Sequence, residues 1–222
     1  MRTVLITFSF MEGNDDWGIP RINRIQNFLR YYIPLQNKGL NFEKIILIDN
    51  GSSPEHCEEI AKEFPSVDFI TLPYLKRGIG KDCLPCWRCI YEYKKGIDQG
   101  FDKLLIIDDD AFLLSKRIMD YVNRIQSGWE TFWCPKYRFP EGGISIICRD
   151  AFPSYLDFTK GTYESRNHSG WAELMFPYTK VTANFHCDRW GENHVPQQPD
   201  MDGYFQCPGD LILKPTGFEE SL

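Results

Sequence analysis

No run of apolar residues in this 222-residue sequence is long enough to cross a bilayer, which argues against a helical membrane span. Positive charge is also scarce: 25 Lys and Arg stand against 31 Asp and Glu, a net charge of −6. A chain of that sign has no broad electrostatic grip on DNA, RNA or anionic lipid, so any anionic ligand must be met by local cations or a metal. The opening MRTVLITFSF lacks the small-residue site of a cleaved signal peptide and ends in aromatics, so it reads as a first buried strand. A cytoplasmic location follows as an expectation. The eight cysteines are even in number, but a chain this long needs no disulfide framework, and the thiols are expected to be reduced. Asn50-Gly51-Ser52 and Asn167-His168-Ser169 match the glycosylation pattern, which matters only for a secreted chain.

What the sequence does contain is alternation. A strand over Thr3 to Phe8 is followed by a polar loop and then by Ile22, Ile25, Phe28, Leu29, Tyr32 and Ile33 at helical spacing, with Pro20 at the helix start and Pro34 at its close. The aliphatic run Ile45 to Ile48 ends in DNGSSPEH, where Ser52 or Ser53 before Pro54 and Glu55 marks a second helix start. Val67 to Leu72 reads as a third strand, Asp82 to Ile97 as a long helix, and Leu104 to Ile107 as another strand. A helix carrying Ile118, Met119, Val122 and Ile125 follows. Buried strands alternating with helices predict an α/β fold with a mostly parallel central sheet covered on both faces. After Gly128 aromatic residues become dense and one strand, Ile144 to Cys148, stands out. With no linker and no internal repeat, the chain reads as one domain over residues 1–222 with a less regular second half.

The chemistry concentrates where strands end. In open parallel sheets ligands bind beyond the carboxyl ends of the strands, and three such ends are polar: Thr7 to Ser9, Asp49 with Asn50, and Asp108 to Asp110. The last lies in KLLIIDDDAFLL, three aspartates inside one of the most hydrophobic segments of the chain. Three adjacent carboxylates repel one another and are costly to bury without a cation. An acidic turn or helix cap is the plain reading of such a triplet. Its place directly after a buried strand favours a hard divalent cation, Mg²⁺ or Mn²⁺, bridging to substrate phosphates.

KIILIDNGSSPE, then LKRGIGKDCLPCWRCIYEYKKGIDQGFDKLLIIDDDAFLL, then GGISIICRDAF resembles the motif order of GT-A-fold glycosyltransferases, especially the family-2-like nucleotide-diphospho-sugar transferases, over Arg2 to Phe152. That resemblance implies a Rossmann-like GT-A domain, with residues 1–128 as the nucleotide-binding half and 129–222 as the acceptor-side half. It implies a glycosyltransferase that moves a sugar from a nucleotide-diphosphate donor, most commonly UDP, to a glycan or other hydroxyl acceptor with Mn²⁺ or Mg²⁺. Asp49 would contact the base with Thr7 or Phe8 beside it. Asp108, at the ribose, and Asp109 would line the nucleotide, and Asp110 together with Asp108 would ligate the metal through a DxD-type motif. Arg77 and Lys81 would approach base or phosphates, unless they are solvated loop charges. Gly142 and Gly143 would pass close to the donor sugar, unless they are ordinary turn glycines. An inverting enzyme also needs a carboxylate base. Glu173 in SGWAELMF is the first candidate and Asp157 the second; Leu174 stands where the family pattern has a second acid. His194 and His186 are candidate further metal ligands, against the reading of ordinary surface or packed histidines.

Other signals carry less. Cys83, Cys86 and Cys89 suggest zinc or an iron–sulfur cluster, but Cys83, Cys86, Ile90, Tyr93 and Ile97 share one helix face, as a core stripe does. RGIGKD is no P-loop, because Asp82 replaces the Ser/Thr and Leu75 the first Gly. Trp129, Trp133, Tyr137, Trp171 and Trp190 could stack on acceptor sugars or fill the core. A sugar nucleotidyltransferase would want a Gly-rich, Arg-containing loop after the first strand, which TFSFMEGNDD lacks. A haloacid-dehalogenase-like phosphatase would want Thr or Val where Phe112 stands. The alternative from another class is a non-catalytic nucleotide- or sugar-binding module.

Overall fold

Seven consecutive buried residues, Thr3–Ser9, form strand β1, and the aliphatic runs Lys44–Asp49 (β2) and Lys103–Ile107 (β4) pair with it on either side in parallel. The computed structural model describes residues 1–15, 18–74, 100–134, 139–151, 180–182, 187–189 and 204–206. Asp68–Thr71 (β3) adds in parallel outside β2. On the other side β7, Phe139–Cys148, runs antiparallel to β4, and β6, Trp129–Cys134, runs antiparallel to β7. The sheet is completed among the described residues by β8, Lys180–Thr182, giving the order β3-β2-β1-β4-β7-β6-β8. The sheet is therefore mixed, parallel through its first four strands. The short connection from β6 to β7 accounts for the reversal, because a chain that returns within a few residues can only pair antiparallel. A second, three-stranded sheet joins β5, Ala111–Leu113, to Tyr204–Gln206 (β10) and Cys187–Arg189 (β9).

Three helices are described. Helix α1, Arg21–Tyr32, follows Pro20 and passes into a 3₁₀ turn over Ile33–Leu35, where Pro34 is tolerated in the first turn. Helix α2, Pro54–Glu63, is capped by the Ser53 hydroxyl, which accepts from the His56 N–H, and has Pro54 in its first turn. Helix α3, Lys116–Arg124, is capped in the same way by Ser115. Its carboxyl end is closed by Lys103, a buried side chain whose Nζ donates to the carbonyls of Val122, Asn123 and Ile125 at 3.1–3.2 Å. Burial holds that ammonium below its usual pKa.

Strand alternation divides the core. Leu5, Leu47, Leu105 and Ile107 pack with Ile25, Phe28, Leu29 and Tyr32 of α1 and with Ile118 and Met119 of α3. The opposite face gathers Val4, Ile6, Phe8, Ile46, Ile48, Leu104, Ile106, Trp129 and Ile147. Both faces of the central strands are thus apolar, the condition for a covered α/β sheet. Cys57 and Cys148 are free thiols. The expected helix Asp82 to Ile97 with its cysteines lies outside the described residues, as do Arg77, Lys81, Asp157, Glu173, His186 and His194.

Candidate functional site

The strand register brings the polar ends together. Ser9 of β1 is paired with Asp49 of β2, and Asp49 with Thr71 of β3, while Asp108 to Asp110 follow directly on β4, the other neighbour of β1. The antiparallel partner of β4 contributes from the same end. Ile107 is opposite Ile144, so Gly142 and Gly143 lie level with the beginning of the triplet. There β7 also breaks register with β6: Thr131 faces Ser145, but Phe132 faces Glu141. The residues between, Gly142 to Ile144, form a bulge, where missing side chains let the backbone bend. A strand of ten residues, longer than the expected Ile144 to Cys148, thus carries its glycines at the acidic end.

Asp49 is fully buried, at 0% exposure, and its carboxylate turns back into its own loop. Its Oδ2 accepts from the Ser52 N–H at 2.8 Å and its Oδ1 accepts from the Ser52 hydroxyl. The Ser52 hydroxyl in turn accepts from the Met11 N–H at 2.8 Å. Burial pushes the Asp49 carboxyl above its usual pKa, with the hydrogen bonds from Ser52 and Gly51 working against that rise. Glu12 ties the same two loops together from outside, accepting from the Ser53 N–H at 2.7 Å and pairing with His56 Nδ1 at 3.0 Å. The Ser53 backbone bond, followed by the contact with His56, outweighs its slight desolvation and holds Glu12 below the usual carboxylate value. Gly51 closes the turn with φ +77°, and a Cβ there would come within 2.5 Å of the Tyr74 backbone nitrogen. Tyr74, 53% exposed, lies against Phe10 with ring centroids 5.0 Å apart, so an aromatic pair stands at this end of the sheet. Phe10 and Tyr74 went unnoticed in the sequence, although Phe10 directly follows the polar end of β1 and Tyr74 lies three residues beyond β3.

Thr7 and Ser9 share a face with Asp49 by strand alternation, and neither hydroxyl has a hydrogen-bond partner among the described residues. Phe8 points the other way, into the second apolar cluster.

The triplet is held differently. Arg24, from α1, places Nη2 2.6 Å from Asp109 Oδ1 and 2.9 Å from Asp110 Oδ2; the three side chains are only 16%, 13% and 14% exposed. Burial disfavours the guanidinium charge, but Asp109, Asp110, Asp15 and Asp108 together overcome it and leave Arg24 more firmly protonated than usual. The same helix grips the segment beyond the triplet. The Tyr31 hydroxyl donates to the Leu113 carbonyl at 2.7 Å, while the Tyr32 hydroxyl donates to the Ala111 carbonyl at 3.0 Å and accepts from the Leu113 N–H at 3.1 Å. Arg24, 85 residues before Asp109, was not among the cations the resemblance implied, which were Arg77 and Lys81. The available signal was its position four residues before Phe28 and eight before Tyr32, on a stripe that is otherwise apolar.

No protein-family model matches the chain, and no curated protein matches it in sequence. Solved structures do match. Over 93% of this chain, glycosyltransferase GlyE from Streptococcus pneumoniae superposes with a TM-score of 0.58 at 12% identity, and the match spans 54% of GlyE. Mouse xyloside xylosyltransferase 1 gives 0.54 at 9% identity, covering 93% of this chain and 98% of the other. A protein of Desulfovibrio desulfuricans assigned as a nucleotide-diphospho-sugar transferase gives 0.53 at 11%, covering 84% and 82%. The chain has the GT-A fold. The triplet and the aromatic pair both stand toward the carboxyl ends of the parallel strands, the side on which open α/β sheets bind their ligands. At these identities the likeness is one of fold.

Proposed function

We propose that this GT-A protein is a glycosyltransferase, which moves a sugar from a nucleotide-diphosphate donor, UDP first among them, to a hydroxyl of a glycan or related acceptor. The observation that carries the reading is the meeting of Asp108 to Asp110 with the glycine bulge of β7 at the carboxyl ends of the parallel strands. Carboxylates offer a diphosphate nothing by themselves, so their use there depends on a cation. Arg24 is set among four acids, Asp109, Asp110, Asp15 and Asp108. Their carboxylates are hard oxygen donors of the kind a divalent cation takes, but no group of three or more acids, histidines or cysteines that could hold a metal is gathered among the described residues, so substrate phosphates and residues beyond them would have to complete the site. Asp108 and Asp110 would hold the cation, with His194 or His186 as further ligands. Mn²⁺ or Mg²⁺ bound there would offset the charge that develops on the leaving diphosphate.

The chain's own residues have distinct parts. Phe10 and Tyr74 offer a surface on which a base can stack, and Asp49 acts by building the loop that sets their distance. Asp108 and Asp109 line the ribose and phosphate side, Arg77 and Lys81 supply positive charge toward the phosphates, and Gly142 and Gly143 let the backbone approach the sugar. In the transfer, the bond from the anomeric carbon to the diphosphate oxygen breaks and a bond to the acceptor oxygen forms. A carboxylate, Glu173 or else Asp157, takes the proton of the acceptor hydroxyl.

The test is release of nucleoside diphosphate from UDP-, GDP- and dTDP-sugars in the presence of Mn²⁺ and a panel of glycan acceptors. Acceptor-dependent release from one donor, abolished in a folded Asp110→Asn variant, is expected. A folded wild-type protein that turns over none of them contradicts the proposal.

A further inference from the structure

A triplet of carboxylates that served only to bind a divalent cation would be left in mutual repulsion whenever the cation was absent. Here a cation is already built in. The guanidinium of Arg24 bridges Asp109 and Asp110 at 2.6 and 2.9 Å, in a partly buried setting where neither acid nor base is well solvated. A guanidinium presents fixed, planar donors and does not lose its proton at any working pH, so it is a permanent fixture of the cluster. Its helix cannot readily carry it away, since Tyr31 and Tyr32 of the same helix are bonded to Ala111 and Leu113 just beyond the triplet.

We infer that Arg24 is the resident counter-ion of the Asp108–Asp110 triplet, holding it in place before any divalent cation arrives and competing with that cation for Asp110. The inference rests on the metal-binding reading of the triplet proposed above and adds a control on it. With Arg24 in place, a divalent cation alone finds Asp110 already shared and a fixed positive charge beside it, so it binds weakly. A nucleoside diphosphate brings phosphate oxygens that complete the coordination, so cation and nucleotide enter together. Arg24 is thus a positioning residue that makes cation capture dependent on the donor.

The test is calorimetric titration of Mn²⁺ alone into metal-stripped wild type, Arg24→Gln and Arg24→Lys, with thermal melts in EDTA and in Mn²⁺. The wild type should bind Mn²⁺ weakly and melt at nearly the same temperature in both buffers. Arg24→Gln should bind Mn²⁺ about tenfold more tightly or better, through removal of an adjacent like charge, and should gain a clear Mn²⁺-dependent rise in melting temperature. Arg24→Lys, which keeps the charge, should remain close to wild type. If Arg24→Gln unfolds in EDTA, recovery of the fold on adding Mn²⁺ supports the inference; no recovery, with Arg24→Lys folded, overturns it. Equal or weaker Mn²⁺ binding by folded Arg24→Gln also overturns it. A parallel titration of UDP with Mn²⁺ into wild type separates the two claims. Mn²⁺-dependent UDP binding without tightening in Arg24→Gln defeats only this inference, whereas tightening without nucleotide binding defeats only the donor-site reading. If neither protein binds Mn²⁺ under any condition, both fail.

Discussion

Two strand ends that look alike in sequence, IILID at the end of β2 and LLIID at the end of β4, solve the same electrostatic problem in opposite ways. Asp49 is fully buried and satisfied by neutral donors, the amide and hydroxyl of Ser52, so its charge is spread over hydrogen bonds within one loop. Asp109 and Asp110 are partly exposed and are satisfied by a full opposite charge brought by a different element. The first arrangement shapes the backbone and offers little to a ligand. The second ties the acidic turn to helix α1 through one guanidinium. An aspartate after an aliphatic strand is therefore not one signal, and what decides its role is the chemistry of its partner.

The comparison can be broken from the charged side first. Arg24→Gln, in the absence of divalent cation, should cost about 3–5 kcal/mol in urea unfolding, because two low-exposure carboxylates lose their counter-charge. A cost under about 1 kcal/mol would mean that the pair behaves as an ordinary surface ion pair. On the neutral side, Asp49→Ala should cost about 2–4 kcal/mol, since it leaves the Ser52 amide and hydroxyl without their acceptor. Ser52→Ala should cost about 1 kcal/mol, a single hydrogen-bonding hydroxyl. Asp49→Ala should leave Mn²⁺ binding at the triplet unchanged if the two ends are as independent as their partners suggest.

Smaller effects sharpen the contrast. Tyr74→Ala removes the exposed ring of the aromatic pair beside the Asp49 loop, and nucleotide affinity in calorimetry should fall about three- to tenfold while stability is nearly unchanged. The smallest expected signal is in pH. The Asp49 pKa is raised by folding, so the folded protein takes up this proton before the unfolded chain does. The stability of wild type relative to Asp49→Asn should therefore rise as pH falls through the raised value, and level off below the ordinary aspartate value of about 3.9. Glu12 is shifted the other way, and its contribution is present above the ordinary glutamate value of about 4.3 and lost as pH falls through its lowered one. The relative stability of wild type over Glu12→Gln should accordingly shrink in acid, a slope opposite in sign to that of Asp49. Urea unfolding of the three proteins between pH 3 and 7 checks both slopes.

The parallel half of the fold was legible because β1, β2 and β4 are runs of buried, mostly aliphatic residues, α1 has apolar residues at helical spacing, and α2 begins at a serine cap. β1, β2, β4, α1 and the Ser53 cap of α2 stand where periodicity and capping chemistry put them. β6 was not legible, because Trp129–Cys134 has neither an aliphatic stretch nor a regular alternation of apolar and polar residues. Strands β5, β9 and β10 are three residues each, and β5 finds its partner far along the chain, Ala111 opposite Gln206, so no local pattern announces them. At the site, the triplet and the glycines were legible as types of residue at strand ends. The inward turn of Asp49 and the reach of Arg24 depend on which loops and helices meet in space, and local spacing carries no record of that.

The most direct measurement is calorimetric titration of UDP, GDP and dTDP, each with Mn²⁺ and with EDTA, into wild type and Asp110→Asn. The account predicts that one nucleotide binds in Mn²⁺, that EDTA abolishes the binding, and that Asp110→Asn abolishes it while remaining folded. A folded wild-type protein that binds none of the three, or binds one equally well without metal and without the Asp110 carboxylate, would contradict the donor site placed at the end of β4.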